Sequence, residues 1–336
     1  MMVISGVLFV LDKGNVIRRM VAWIVRVFGR AKYLMMAVLV TVCIVLSSTG
    51  LLSADELMAL TPFMVAIAIG MGWDSLMGVM LCFIPITTGM IGATVNPYNV
   101  VLAQELAGVP LLSGMWLRLI ILGAIWALTI VFALTYARRI EKDPTRSLMY
   151  NEDIVQRGKY SADAIQHIEK RKYPFKEMLR DFGKSSLEWL IMLPVAMILF
   201  SYSHILEAGQ VMDTIVFRIG GVIAGASPFG ACMMMLLLVL IVEIFMPGAM
   251  IKAIALMPLL LPIGDITGVS RQLTCLVFIT GDSLPNVFYP FNTYVLITMG
   301  MIGCTYKKWM RWMWWYVLGL VAIVIGAIAL AVVTGY

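Results

Sequence analysis

Residues 280–292 read "TGDSLPNVFYPFN", set between "LTCLVFI" (273–279) and "TYVLITMGMIG" (293–303). Without those thirteen residues the stretch would pass as a single membrane-spanning helix. Pro285 and Pro290 each remove a backbone donor and disturb the carbonyl one turn earlier, so a helix through this segment must break. Freed amides and carbonyls cost several kcal/mol apiece in hydrocarbon, so a broken span persists only where protein, water or a bound ion satisfies them.

The surroundings are a membrane protein's. Of 336 residues, 61% are hydrophobic and 13% charged, with a mean hydropathy of +0.94, outside the range of soluble domains. Apolar runs near the ~20 residues that cross a bilayer recur along the chain, which predicts a polytopic helical bundle rather than a barrel. The basic residues cluster between the spans: six in 13–32, twelve in 138–184 and three in 307–311. That pattern suits cytoplasmic segments, so the net charge of +6 needs no nucleic-acid partner. The five cysteines are scattered singly, and the two histidines stand apart from any metalloprotease or serine-hydrolase motif, so neither a metal centre nor an enzyme is expected.

The chain repeats itself. "NPYN" (96–99) aligns with "YPFN" (289–292), and Cys82, Trp116 and Arg118 align with Cys275, Trp309 and Arg311, all at a shift of 193; "ELMALTP" (56–62) aligns with "KAIALMP" (252–258) at 196. The expected organisation is repeat 1 over 1–137, with a hairpin near 33–72, a broken helix near 75–105 and a scaffold helix over 111–137. A polar linker, 138–186, follows. Repeat 2 over 187–336 then has a hairpin near 230–264, a broken helix near 271–302 and a scaffold helix over 312–335. Residues 13–32 carry six bases and no acid, whereas their counterpart near 207–227 carries Arg218 against Glu207 and Asp213. The first belongs inside and the second outside, so the repeats are expected to be inverted, with the linker cytoplasmic in a bacterial inner membrane. The hairpins are either paired full spans or re-entrant; the polar tips 47–56 and 246–252 favour the latter.

Repeat 1 has its own interruption, "TTGMIGATVNPYN" (87–99). Two interrupted spans at matching positions point to a midplane binding site, where half-helix amides suit a substrate carboxylate and freed carbonyls suit Na⁺. The candidate ligands are Thr94, Asn96 and Asn99 in repeat 1 and Asp282, Ser283, Asn286 and Asn292 in repeat 2, with Na⁺ at carbonyls near Gly92 and Gly281. The competing reading is a pair of ordinary proline kinks with amide side chains as interhelical glue. A charge at mid-membrane costs about 2.5–3.5 kcal/mol on insertion scales, so Glu56 and Lys252, at equivalent hairpin positions, join the site as a complementary pair. Alternatively, Lys252 pairs with Glu243 across its own hairpin. The run "KKWMRWMWWY" (307–316) reads as an interfacial anchor.

"GDSLPNVFYPFNTYVLITMGMIGCTYKKWMRWMW", "MPGAMIKAIALMPLLLPIGDITGVSRQ", "GATVNPYNVVLAQELAGVPLLSGMWLR" and "ARRIEKDPTRSLMY", in this order and spacing, resemble the YfcC-like branch of the C4-dicarboxylate anaerobic carrier family, within the ion transporter superfamily. The resemblance implies an all-α polytopic membrane protein of two inverted repeats, each with a re-entrant hairpin and a broken transmembrane helix, that works as an elevator. It implies a secondary transporter of a small carboxylate-bearing metabolite, a C4-dicarboxylate or an amino acid such as arginine exchanged for ornithine. Na⁺ or H⁺ would be the coupling ion, no other cofactor is implied, and homodimers embedded in lipid are common. Two departures stand out. The second hairpin tip lacks the serine-rich S-G-S-G-Q-A pattern and has Gly248–Ala253 with Lys252 instead, which replaces a coupling cation, alters substrate choice or marks lost activity. The chain also begins partway through its first repeat, either because scaffold spans precede it or because it is a reduced version. A transport-inactive subunit or degenerate paralogue is the alternative function.

Overall fold

The apolar segments fold as helices wherever the structure describes them. The structure is a computed structural model that describes residues 2–52, 54–161, 164, 173–188, 226–246 and 248–336. No strand occurs among them. In chain order the helices are α1 (Met2–Lys13), α2 (Val16–Phe28), α3 (Lys32–Thr49), α4 (Ala54–Met58), α5 (Thr61–Gly70), α6 (Ser75–Leu81), α7 (Phe83–Gly89), α8 (Leu102–Ala107), α9 (Met115–Lys142), α10 (Ile154–Tyr160) and α11 (Phe175–Glu188). After the undescribed stretch come α12 (Pro228–Phe245), α13 (Ala249–Thr267), α14 (Arg271–Ser283), α15 (Thr293–Ile302) and α16 (Tyr306–Thr334). The expected span over 187–206 and the expected outer segment near 207–227 lie almost wholly outside the described residues.

Five segments among those described are long and apolar enough to cross a membrane: Val16–Thr49, Met115–Lys142, Pro228–Phe245, Ala249–Thr267 and Tyr306–Thr334. The chain is a multi-pass, nearly all-helical membrane protein. The first of these segments fuses the amphipathic α2 to α3 through a 3₁₀ turn at Gly29–Ala31. α2 buries Ile17 and Val21 and turns Arg18 and Arg19 outward; Arg18 donates to the Lys159 carbonyl in the linker.

α9 and α16 form the antiparallel backbone of the molecule. At one end the Tyr336 hydroxyl donates to the Gly114 carbonyl, 2.7 Å away, and packs edge-on against Trp116. Midway, the Thr129 and Tyr316 hydroxyls are 2.7 Å apart; towards the linker, Tyr136 and Trp312 meet edge to face with ring centroids 5.7 Å apart. At about 1.5 Å per residue, the 28 residues of α9 run some 42 Å, enough to cross the bilayer with length to spare.

The 33–72 segment folds back on itself beside this backbone. Its two feet meet at one carboxylate near the C-terminus of α9: Tyr33 Oη and Trp73 Nε1 both donate to Glu141, and Lys32 lies 2.7 Å from it. The tip is a left-handed turn at Gly50 (φ +66°), where a Cβ would come 2.7 Å from Pro97 Cδ. Each arm then packs on one piece of the broken span, α5 on α6 and α3 on α7. In the second half, α12 and α13 pack on each other and both lie against α14. The turn between α13 and α14 sits at the opposite end of α9, where Arg271 donates to the Ala107 carbonyl and Gln272 to that of Ser113.

Candidate functional site

Both interruptions foreseen in the sequence are present. α14 ends at Ser283, gives way to a 3₁₀ turn over Leu284–Val287 and resumes as α15 only at Thr293. Pro285 has no N–H to offer the Gly281 carbonyl, which is the local cause. In the first half, α7 stops at Gly89 and the chain runs irregularly to Pro97, where a π turn (Pro97–Val101) leads into α8. An additional break at Cys82, with φ −135° and ψ −66°, divides α6 from α7; its local cause is Pro85, which has no N–H to offer the Leu81 carbonyl.

The two interruptions meet. The Asn99 side-chain amide donates to Ser283 Oγ at 3.5 Å, and neither residue has measurable exposure. Around this junction the halves interlock: the 284–287 turn packs on α7, and the 97–101 turn packs on α13 and α14.

Beside Ser283, three charges converge. The Lys252 ammonium donates to Glu243 and stands 2.7 Å from Asp282 Oδ1, with side-chain exposures of 2%, 4% and 1%. The contact to Asp282 is an ion pair rather than an aligned hydrogen bond, since Oδ1 has no donor in hydrogen-bonding geometry. Lys252 lies in the first turn or so of α13, Glu243 in the last turn of α12 and Asp282 at the end of α14. Every one of these charges stands at the helix end that the macrodipole disfavours, so mutual pairing is what holds them there. The pair expected between Glu56 and Lys252 is therefore not what engages the lysine. Glu56 lies exposed near the first hairpin tip, while Lys252 is taken up by Glu243 and Asp282.

The remaining predicted residues divide by task. Thr94 and Asn96 face the end of α3: Thr94 N–H and Oγ both donate to the Ser48 carbonyl, at 2.9 and 3.4 Å, and Asn96 Nδ2 donates to that of Ser47 at 3.1 Å. They cap carbonyls that a helix C-terminus leaves without partners. Asn96 Oδ1 also accepts from Tyr98 N–H, and Asn292 Oδ1 accepts likewise from Tyr294 N–H, opening the following helical segments. Asn286 and Asn292 are joined to each other at 2.7 Å across the second interruption. Gly92 lets the chain approach the α9 backbone, a Cβ there lying 2.9 Å from Leu122, and Gly281 fits against Val239 and Leu236 of α12.

Two contributors escaped the sequence reading. The buried Arg118 donates to the Thr94 carbonyl at 3.3 Å, and Trp309 Nε1 donates to the Val287 carbonyl at 3.1 Å. Thr94 and Val287 are equivalent at the 193-residue shift, so a scaffold-helix side chain satisfies the same freed carbonyl in each half. The shift placed Arg118 and Trp309 at the same helix end, but which backbone oxygen they served was not in the pattern. Trp309 and Trp312 thus face inward, against the expected anchor, and of the four tryptophans in that run only Trp314 and Trp315 face outward. Tyr306 Oη, donating to the Phe288 carbonyl, completes the capping.

A cavity of about 260 Å³ lies at the feet of the first hairpin, lined by Trp73, Asp74, Ser147 and Arg157 among others. It shares no residue with the junction, whose charges are occluded. No cluster of three or more metal-ligating side chains exists among the described residues.

Residues 1–204 and 164–333 match the model of the C4-dicarboxylate anaerobic carrier family. A protein of Escherichia coli (strain K12), described as "Putative basic amino acid antiporter YfcC", is 26% identical over 317 residues, covering 76% of this chain and 62% of its own length. An uncharacterised protein of Haemophilus influenzae is 21% identical over 322 residues, covering 81% of this chain and 63% of its own length. The chain thus spans somewhat under two thirds of the relatives it matches.

Proposed function

The chain belongs to the C4-dicarboxylate anaerobic carrier family, and on that premise we propose that it is a secondary active transporter of a small carboxylate-bearing metabolite, a four-carbon dicarboxylate or an amino acid. The observation that carries this reading is the junction of the two interrupted helices, where Asn99 of one meets Ser283 of the other beside a buried charge cluster. Broken helices at matching positions, converging in the interior, are the arrangement in which carriers bind substrate at the midplane. The basic amino acid named for the E. coli relative joins the candidate substrates.

The repeats are read as inverted. α9 and α16, equivalent in sequence, run antiparallel, as an axis in the membrane plane requires, and the feet of the first hairpin and the α13–α14 turn occupy opposite ends of α9. The polar tips of the two hairpins favour re-entrant forms over paired full spans, and alternating access proceeds by elevator-type movement of hairpins and broken helices against the α9–α16 scaffold. The linker is cytoplasmic and the membrane is the bacterial inner membrane.

Purified protein in proteoliposomes loaded with unlabelled succinate or arginine is expected to accumulate the matching labelled compound by counterflow. Asn99→Ala and Asn286→Ala are each expected to slow it about tenfold or more, since substrate positioning is sensitive to small displacements, while the melting temperature holds. Unchanged counterflow in both variants would remove the junction from the mechanism.

A further inference from the structure

The charge cluster differs from the amide junction in one respect: it already contains a cation. Two carboxylates from two helices, Glu243 and Asp282, face a single ammonium from a third, all within the protein interior. The remaining charged groups on the elements packed around them lie elsewhere: Glu105 on α8 and Lys307 and Arg311 on α16 are exposed, Lys308 on α16 pairs with Glu152, and Asp265 and Arg271 pair with each other at the far ends of α13 and α14. With Lys252 in place the cluster carries one net negative charge; without it, two.

We propose that the Lys252 ammonium is a tethered counter-cation occupying the place of an exchangeable metal ion, so that this carrier binds no Na⁺ at the second interruption. The inference rests on the carrier reading. Asp282, which follows the proline-freed carbonyl of Gly281, lies 2.7 Å from Lys252 Nζ, so Na⁺ bound beside it would meet a like charge at close range in a weakly screened interior. The same carboxylates that would hold an ion already face the lysine. Because the lysine is on the second hairpin and Asp282 on the broken helix, the pair also draws the hairpin tip against that helix without an ion from solution.

The test compares melting temperatures of the full chain in detergent in sodium chloride, choline chloride and methylammonium chloride at equal ionic strength. The wild type is expected to melt at the same temperature in all three. Lys252→Ala, left with two buried carboxylates, is expected to melt lower in choline and to recover by at least about 2 °C in Na⁺ or methylammonium, because a ligand that binds only the folded state raises its stability. Stabilisation of the wild type by Na⁺ over choline, abolished in Asp282→Asn, would overturn the proposal, as would a folded Lys252→Ala indifferent to both small cations. Should Lys252→Ala fail to fold in any of the salts, the wild-type comparison decides: indifference to Na⁺ supports the proposal and Na⁺-specific stabilisation refutes it. Since melting is read without transport, a failed counterflow experiment would sink the carrier reading alone.

Discussion

Lys252 carries the largest single-residue consequence. Removing one partner from a buried ion pair strands the others, at a cost of about 3–5 kcal/mol, whereas replacing charges together by apolar groups can be nearly neutral. Lys252→Met is therefore expected to lower unfolding stability in detergent by that amount, and Lys252→Met combined with Glu243→Leu to recover part of it; equal losses in single and double variants would contradict the pairing. At the opposite pole is Asp181, in α11, whose carboxyl is held down to about pH 2 by hydrogen bonds from Lys13 and Tyr173. A folded-state pKa below the unfolded value of about 3.9 means stabilisation present above that value and lost as pH falls through about 2. Hydrogen exchange in α1 and α11 should accelerate over that range, and Lys13→Gln should flatten the dependence. Neither partnership was fixed by the sequence. It showed that Lys252 needed a counter-charge and offered Glu56 or Glu243, but the choice depended on which helix ends were brought together.

Helix breaks are set by local chemistry and stabilised by distant groups. Pro285 and Pro97 were legible as breaks because the missing N–H acts within one turn. The Cys82 break carries the same mark, since Pro85 has no N–H for the Leu81 carbonyl, but it stands inside an apolar run with no polar residue to single it out. The caps on the freed carbonyls come from α9 and α16, far along the chain. Trp309→Phe keeps an aromatic ring against Phe83 but leaves the Val287 carbonyl without its donor, so a loss of about 1–3 kcal/mol is expected; thermal unfolding in detergent would measure it, and no loss would mean another donor takes over. At the first tip, Gly50→Val places a β-branched residue at φ +66° and drives its Cβ into Pro97. A lowered melting temperature together with slower counterflow is expected, and a variant as stable as wild type would show that the tip can move off the broken helix.

For the whole molecule, the decisive prediction concerns sidedness. With the five native cysteines all buried, a cysteine at Thr145 should react with an impermeant maleimide only from the cytoplasmic face, and one at Asp265 only from the outer face. Labelling of both from one side would remove the inversion. The sequence by itself determined that the chain lives in lipid, that it is helical, where its two spans break and which residues correspond between its halves, because hydropathy, proline chemistry and repetition all act locally along the chain. It also picked out Asn99 and Ser283 as members of one site. Only the tertiary structure decided that these two touch, that Thr94 and Asn96 cap α3, that Arg118 and Trp309 serve equivalent carbonyls, and that Lys252 answers to Glu243 and Asp282. Such contacts join residues up to 184 positions apart, and their partners are selected by how whole helices pack, a collective outcome that no short window of sequence encodes.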